Sequence, residues 1–224
     1  MMPPALLLLV KAPLPGLVKT RLAATLGDAV ALAAYRAMVA NVLAAADASG
    51  LPTTLVYAPA DALEQVTALC GRQRRYLPQT GDDLGARMDA ALARAFADGA
   101  EAALLIGSDL PLLTGSLLRQ AAALLTENQA VLGPADDGGY YLIGFTRAGY
   151  LPDVFCNMPW STPAVATVTL DRLADAGRAT ALLPPLPDCD VAADLTRLAG
   201  APLRERLAGT PFGRFLATEP SLDI

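Results

Sequence analysis

Short apolar runs and longer amphipathic stretches take turns along the chain. Residues 5–11 form a continuous apolar run that is typical of a strand buried on both faces. Residues 28–48 repeat apolar residues at helical spacing, with Asp28 as the expected N-cap. The alternation continues with strands predicted at 52–59, 74–79 and 102–107 and with helices predicted at 61–71, 83–98 and 117–127. This order predicts parallel strands with helices on both faces of the sheet.

The pattern changes after residue 128. Two strand-like runs flank the turn sequence "ADDGG", which predicts a β-hairpin and therefore a mixed sheet. A helix is predicted at 163–176, capped by Ser161 or Thr162, and one more strand at 179–186. We therefore predict a single α/β domain over residues 1–200, with a helical tail of the same domain over residues 201–224.

Composition narrows the classes of function. The net charge of −5 and the pI near 4.7 argue against a general affinity for nucleic acid, which requires an excess of basic residues. The first apolar run is too short for a signal-peptide core or a membrane span, so we expect a cytoplasmic protein. The three cysteines lie far apart without a CxxC spacing, which favours reduced thiols over a zinc site.

The chain contains no histidine. This excludes histidine general bases, Ser-His-Asp and Cys-His mechanisms, and histidine-ligated metals. Aspartates are frequent near glycine and proline, and loops rich in aspartate suit a hard cation such as Mg²⁺ (or Mn²⁺).

A basic loop follows the first strand. It holds the only two lysines of the chain, Lys11 and Lys19, together with Gly16, Thr20 and Arg21. These residues could surround an anionic group, because glycine lets the backbone approach and the side chains neutralise charge. The alternative is an exposed basic loop without a ligand. "GLVKT" is not a phosphate-binding P-loop, since that motif needs glycine directly before the lysine.

Carboxylates follow two later strands. Asp109 comes directly after a buried strand, where a charge costs free energy unless it is paired or bound to a metal. Asp188 and Asp190 follow the last predicted strand. All three could instead cap helices. If the strands are parallel, Asp109 faces the same crevice as the basic loop.

Two further segments are candidates for binding. In "QTGDDLGARM", Arg87 lies one turn into a helix and is suited to an anion or a base edge, or is simply solvated. In "MPWSTP", Trp160 packs internally or stacks on a ligand. Asp136 and Asp137 either form the hairpin turn or supply a carboxylate base.

Five motifs in order, "KAPLPGLVKTRL", "QTGDDLGARM", "GSDLP", "PADDGGYYLIG" and "PDCDVAADL", resemble a bacterial glycosyltransferase-like family. That family is similar to 2-phospho-lactate guanylyltransferase and to molybdenum-cofactor nucleotidyltransferases. The resemblance implies the nucleotide-diphospho-sugar transferase (GT-A) fold, a Rossmann-like, mostly parallel mixed sheet flanked by helices.

The resemblance also implies roles for individual residues. Lys19 and Arg21 would hold a triphosphate, and Asp109 and Asp190 would share Mg²⁺. The remaining substrate-binding positions that it implies or that the loops suggest are Lys11, Gly16, Thr20, Gly81, Leu84, Arg87, Asp137, Tyr140 and Trp160.

Three functions follow as hypotheses. The first is Mg²⁺-dependent nucleotidyl transfer from a nucleoside triphosphate to a small phosphorylated acceptor, which the basic loop favours because a phosphate is already an anionic nucleophile. The second is a glycosyltransferase that uses a nucleotide sugar, with Asp136 or Asp137 as a possible base. The third is a nucleotide-binding module without catalysis. The sequence does not predict the oligomeric state.

Overall fold

Seven strands form one mixed sheet in the computed structural model, which describes residues 3–219. The strands are β1 (Ala5–Lys11), β2 (Thr53–Ala58), β3 (Arg75–Pro78), β4 (Ala102–Ile106), β5 (Ala130–Pro134), β6 (Tyr140–Thr146) and β7 (Thr180–Leu182). Their spatial order is β3-β2-β1-β4-β6-β5-β7, and β6 is antiparallel to both of its neighbours, whereas the other pairs are parallel. The predicted mixed, mostly parallel sheet is confirmed.

Helices cover both faces of the sheet. In chain order they are α1 (Thr20–Leu26), α2 (Asp28–Ser49), α3 (Leu63–Cys70), α4 (Leu84–Ala97), α5 (Gly115–Leu124), α6 (Val165–Asp175), α7 (Ala192–Ala199), α8 (Leu203–Leu207) and α9 (Pro211–Thr218). A short 3₁₀ helix, Pro152–Phe155, precedes α6. The core against one face includes side chains of α1, α2, α3, α5 and α7 to α9, and the core against the other includes α4, the 3₁₀ helix and α6.

The alternation of side chains along β1 explains its uninterrupted apolar run. Leu6, Leu8 and Val10 pack into one core, while Leu7 packs into the other. Each face of the strand thus contacts a helical layer, and a polar residue on either face would lose its hydration.

The direction in which successive strands are added to the sheet reverses between β1 and β4. From β1 the chain adds β2 and β3 outward on one side and then returns to add β4 on the other. Loops that leave the carboxyl ends of β1 and β4 therefore diverge and leave a crevice, which is where ligands bind in open α/β sheets. The basic loop follows β1 and the Asp109 loop follows β4.

Several local predictions need correction. The basic loop contains an additional helix, α1, and Gly27 rather than Asp28 is the N-cap of α2. Helix α6 begins at Val165, later than predicted, and its N-cap is Ala164 without a side-chain cap. The predicted hairpin is confirmed, since β5 and β6 pair antiparallel.

Helix α2 is the longest helix of the described part of the chain. By length and composition it could span a membrane, but 56% of its most apolar window is buried inside this protein, where it packs against α5 and α9. Its apolar character is accounted for by this central position. The thiols of Cys70 and Cys189 are buried and that of Cys156 is exposed, and all three are free.

Candidate functional site

The basic loop directs Lys19 into the protein. Lys19 has a left-handed backbone, with φ of 50°, and is the N-cap residue of α1. The preceding Val18 is buried in the core and the following Thr20 is exposed. The left-handed turn, which is uncommon for a residue with a side chain, brings the Lys19 side chain under the end of the sheet, where the residue is only 8% exposed.

Two carboxylates hold the Lys19 ammonium. Its Nζ lies 2.8 Å from Asp109 Oδ2 and 3.6 Å from Asp190 Oδ1. It also donates a hydrogen bond to the Cys189 carbonyl oxygen at 2.5 Å. Asp109 and Asp190 therefore face one cation, and in this structure that cation is Lys19. Neither aspartate is a helix cap, because α5 is capped by Thr114 and α7 begins after Val191.

The segment that carries Asp190 is fixed by backbone pairing. Leu186 extends the sheet beside Ala135, and the Leu186 amide donates to the Pro134 carbonyl at 3.1 Å. Farther along, Asp194 Oδ2 accepts from the backbone amides of Asp190 and Val191 at 2.8 and 2.9 Å. These bonds position the Asp190 backbone at the end of the crevice, and its carboxylate also contacts Arg21 Nη1 at 2.7 Å.

The charge of Lys19 is stable at this site. Burial disfavours the ammonium, but the charge and hydrogen bond of Asp109 and the charge of Asp190 outweigh that effect, so the pKa of Lys19 is raised above its ordinary value. Lys19 is therefore a permanent cation near neutral pH. Burial raises the pKa of the neighbouring Cys189 thiol to about 12, which makes a thiolate nucleophile there unfavourable.

A basic crevice of about 470 Å³ opens on one side of Lys19. Its cationic lining consists of Lys11, Lys19, Arg21 and Arg87, and Thr20 and Leu84 also line it. Leu17 and Leu84, which also line the crevice, are 54% and 45% exposed. The combination of several cations with exposed leucines suits a ligand that has both phosphates and a flat apolar part.

Two residues that were predicted to bind substrate, Gly81 and Gly16, do not line either cavity. Arg87 Nε donates to the Gly81 carbonyl at 3.0 Å, so Gly81 anchors the arginine and does not itself line the crevice. Gly81 has φ of 128°, which favours glycine. Gly16, with φ of 74°, lies exposed in the basic loop and lines neither cavity at this site.

An acidic compartment of about 310 Å³ lies on the other side of Asp109. Asp109 and Leu84 line both cavities, so the compartment and the basic crevice are neighbours. The compartment is otherwise lined by carboxylates, aromatic rings and hydroxyl groups, which include Asp137, Asp188, Tyr140, Trp160, Ser161 and Thr162. No lysine or arginine among residues 3–219 lines it.

The hairpin turn and the segment before Asp190 supply the two extra carboxylates. Asp137 Oδ1 accepts from the Gly139 amide at 2.9 Å, which holds the turn and leaves Asp137 at the wall of the compartment. Burial raises the pKa of Asp188, and the charge of Asp137 raises it further. Asp136, in contrast, forms an ion pair with Arg197 at 3.1 Å and does not line the compartment.

Trp160 connects the compartment to α4. A Cβ at Gly85 would lie 2.5 Å from the Phe155 carbonyl oxygen and 3.0 Å from the Trp160 ring, so glycine is required for this close approach. Trp160 also meets Tyr140 edge to face, with 6.5 Å between ring centroids. Both rings were predicted to be near a ligand, and the structure brings them together at one wall.

Sequence reasoning missed several residues of the site. Asp188 was named with Asp190 as a carboxylate after the last predicted strand but was given no role of its own, and nothing marked Tyr35, which lies within α2. The Tyr35 hydroxyl accepts from the Lys11 amide and donates to the Lys11 carbonyl, and so fixes the start of the basic loop. Gln79 donates to the Val56 carbonyl at 2.9 Å and lines the crevice. These roles depend on contacts between residues that are distant in sequence, and no local sequence motif indicates them.

The donor set is compatible with a divalent cation. Asp109 and Asp190 present carboxylate oxygens toward one point, and 45% and 37% of their side-chain surfaces are accessible. Oxygen ligands of this kind suit Mg²⁺ or Mn²⁺. No group of three or more carboxylate or thiol side chains close enough to hold a metal occurs among the described residues, so water or ligand oxygens would have to complete such a site.

The fold is that of the nucleotide-diphospho-sugar transferases and nucleotidyltransferases. The chain is 33% identical to a protein from Desulfovibrio desulfuricans G20 that is classed provisionally as a nucleotide-diphospho-sugar transferase, over 99% of this chain and 97% of that one, with a TM-score of 0.91. The chain belongs to the family described as "Uncharacterized protein conserved in bacteria (DUF2064)", whose model matches residues 39–162.

More distant structures share the fold alone. A nucleotidyl transferase from Methanothermobacter thermautotroptrophicus (Mth528) is 18% identical, with a TM-score of 0.54 over 96% of this chain and 99% of that one. Rv0371c from Mycobacterium tuberculosis H37Rv, solved in complex with manganese, is 18% identical, with a TM-score of 0.54 over 88% of this chain and 98% of that one. No curated protein matches the sequence.

Proposed function

We propose that this protein transfers a nucleotidyl group from a nucleoside triphosphate to a small acceptor, with Mg²⁺ or Mn²⁺ as cofactor. One observation carries the proposal: Lys19 is held as a buried cation by Asp109 and Asp190 at the reversal point of the sheet, inside a crevice that Lys11, Arg21 and Arg87 also line. The crevice lining has four cations against the two carboxylates of Asp109 and Asp190, and this excess of positive charge suits a ligand that carries phosphates.

The proposed reaction requires little acid-base catalysis by side chains of this protein. Negative charge develops on the leaving pyrophosphate, and fixed cations aimed at that charge lower the barrier. Two carboxylates and a carbonyl oxygen keep the Lys19 ammonium in the crevice, so its charge is already at the site when a donor enters. Arg21, which is 72% accessible at its side chain, can turn toward the phosphates that enter from solvent.

Asp109 and Asp190 are the residues that would hold the divalent cation. When bound, that cation supplies Lewis-acid stabilisation of the phosphoryl oxygens. Lys19 now lies between the two carboxylates, so its side chain must move toward the phosphates when both ligands are present. This movement would bring the Lys19 ammonium to the phosphates, as its proposed role of holding the triphosphate together with Arg21 requires.

A phosphorylated acceptor fits the site if its phosphate reaches Lys19 from the acidic compartment, because Asp109 lines both cavities. In that arrangement the phosphate is the nucleophile and needs no base. The closer relation to 2-phospho-lactate guanylyltransferase, which the motifs suggest, belongs to this proposal and rests on the sequence alone.

Glycosyl transfer from a nucleotide sugar is the second candidate. The observation that favours it is that Asp137 and Asp188 line the acidic compartment, where either could take a proton from an acceptor hydroxyl. A binding module without catalysis is less well supported, because Asp109 and Asp190 contact the same ammonium and are not too far apart to share a cation. The cytoplasm, where nucleotides are abundant, is the proposed location.

The test compares two classes of donor, and it compares the parent protein with two variants. Purified protein is incubated with each nucleoside triphosphate or nucleotide sugar and a panel of phosphorylated and hydroxylated acceptors, with and without Mg²⁺, and pyrophosphate release and donor cleavage are measured. We expect Mg²⁺-dependent pyrophosphate release that Asp109→Asn lowers by ~10²-fold or more, since the substitution keeps size and polarity but removes the charge that holds a dication. Asp136→Asn is the matched control and should retain activity.

Turnover of nucleotide sugars alone would shift the assignment to glycosyl transfer. Equal pyrophosphate release by the parent and Asp109→Asn would remove Asp109 from the metal site.

A further inference from the structure

Two of the three carboxylates that line the acidic compartment have no ion-pair partner in the described part of the chain. Asp137 and Asp188 line it, and neither has a lysine or arginine within ion-pairing distance among residues 3–219. The charge of Lys19 acts on Asp188, but the Lys19 ammonium pairs with Asp109 and Asp190, and Arg197 pairs with Asp136 and Asp194 at 3.1 and 3.4 Å. Carboxylates gathered around a cavity without a counter-ion are costly unless a bound cation neutralises them.

The compartment also has an aromatic wall suited to a cation. Trp160 and Tyr140 meet edge to face there, and Gly85 lets Trp160 approach α4 closely. An ammonium group over a tryptophan or tyrosine face is attracted by the ring's negative face, and carboxylates beside the ring add to that attraction. Ser161 and Thr162, at the same wall, can hydrogen-bond hydroxyl groups of a ligand.

The two cavities differ in the charge of their linings, and this difference selects among acceptors. The four cations of the site line the basic crevice, whereas the acidic compartment has none among the described residues. A second anionic group on the acceptor, remote from its reacting oxygen, would be brought against Asp137 and Asp188 and would be repelled. A volume of about 310 Å³ accommodates a small molecule only.

We propose that the acidic compartment binds a small hydroxylated acceptor whose body carries an ammonium group. This inference rests on the proposed function, because it takes the basic crevice as the donor site, and it defines the class of molecule that receives the transferred group. The reacting oxygen, whether of a phosphate or a hydroxyl, points toward Lys19, and the ammonium group lies among Trp160, Asp137 and Asp188.

The single tryptophan of the chain permits a direct binding test without any donor. Choline is titrated while Trp160 fluorescence is recorded, and 3,3-dimethylbutan-1-ol, a neutral molecule of the same shape, is titrated in parallel. Isothermal calorimetry on the same samples provides a signal that does not depend on the fluorophore. We expect choline to bind roughly tenfold more tightly than its neutral analogue.

Asp137→Asn and Asp188→Asn should each weaken choline binding and leave the neutral analogue unaffected. Asp136→Asn is the matched control, since its carboxylate belongs to the same hairpin but pairs with Arg197 outside the compartment. Far-ultraviolet circular dichroism verifies that each variant is folded, and Asp137, exposed at the turn, keeps the test valid if Asp188→Asn fails to fold.

Equal binding of choline and its neutral analogue, or absence of binding by both methods, would overturn the inference. So would an equal loss in Asp136→Asn, or tighter binding of inorganic phosphate than of choline at this compartment. The result is separable from the proposed function: if choline binds as expected but no nucleotide donor is turned over, the donor chemistry is wrong while the cation site stands.

Discussion

Lys19 is the residue on which both halves of the site depend. It contacts a carboxylate from the loop after β4 and another from the segment after β7, and its own loop follows β1. One buried ammonium therefore connects three loops that are distant in sequence. Arginine is the usual cation of this chain, and the narrow space between two carboxylates and a carbonyl oxygen gives a reason for lysine here, because an ammonium is compact and donates in three directions.

Replacement of Lys19 separates its catalytic and structural contributions. We expect Lys19→Ala to lower turnover by ~10²-fold or more while nucleotide affinity changes less, because only interactions stronger in the transition state accelerate the chemical step. Lys19→Arg should recover only part of the rate. The same Lys19→Ala variant should bind Mn²⁺ more tightly than the parent in the absence of nucleotide, since the Lys19 ammonium no longer lies between Asp109 and Asp190.

Steady-state pyrophosphate release and paramagnetic resonance of free Mn²⁺ measure the two effects. Unchanged turnover in Lys19→Ala would contradict the role in the transition state. Weaker Mn²⁺ binding would contradict the competition between Lys19 and the metal.

At the level of elements, α2 secures the loop that carries Asp109. Asn41, a buried polar residue of this largely apolar helix, donates to the Pro111 carbonyl at 2.8 Å. Its Oδ1 accepts from the Phe212 amide at 2.9 Å, at the first turn of α9. One side chain thus satisfies two backbone groups that would otherwise be buried without partners, and it links the β4 loop to the C-terminal helix.

Asn41→Ala should lower the free energy of unfolding by about 1–3 kcal/mol, because it leaves the Pro111 carbonyl and the Phe212 amide unsatisfied. Urea unfolding followed by circular dichroism measures the change. Asn128→Ala is the control: its side chain makes a single hydrogen bond, to the carbonyl of Leu124 at the end of α5, so the loss should be smaller. An equal loss in both variants would mean that Asn41 has no special linking role.

At the scale of the whole molecule, a basic crevice lies on a protein of net negative charge. The net charge is −5, yet Lys11, Lys19, Arg21 and Arg87 all line the basic crevice. The molecule thus attracts a small polyanion locally while its overall field disfavours an extended one. These four cations also distinguish the crevice from the neighbouring acidic compartment, which no lysine or arginine of the described residues lines.

A nucleoside triphosphate with Mg²⁺ should therefore stabilise the fold, whereas duplex DNA at equal phosphate concentration should not. At a ligand concentration of 100 times Kd the gain is about 2.7 kcal/mol, because the ligand binds the native state only. Thermal unfolding with each ligand, with and without Mg²⁺, measures it. Stabilisation by nucleotide sugars in preference to triphosphates would instead favour glycosyl transfer, and stabilisation by DNA would contradict the local character of the charge.

The sequence by itself determined the order of elements, the mixed sheet and the loops that carry the candidate chemistry. It could do so because apolar periodicity and turn residues are local signals: the run 5–11 predicts β1, and "ADDGG" predicts the hairpin. It did not predict α1, because the proline and glycine residues of the basic loop indicate a turn or loop, and the short helix begins only after Lys19.

Only the tertiary structure decided which charges meet. It paired Lys19 with Asp109 and Asp190, separated Asp136 from Asp137, and brought Asp188 to the same cavity as Trp160. Those relations depend on the strand order β1-β4-β6-β5-β7, which places the ends of loops that are up to 170 residues apart within hydrogen-bonding distance. Charge pairing falls off steeply with distance, and no local pattern in a sequence encodes the distance between two loops.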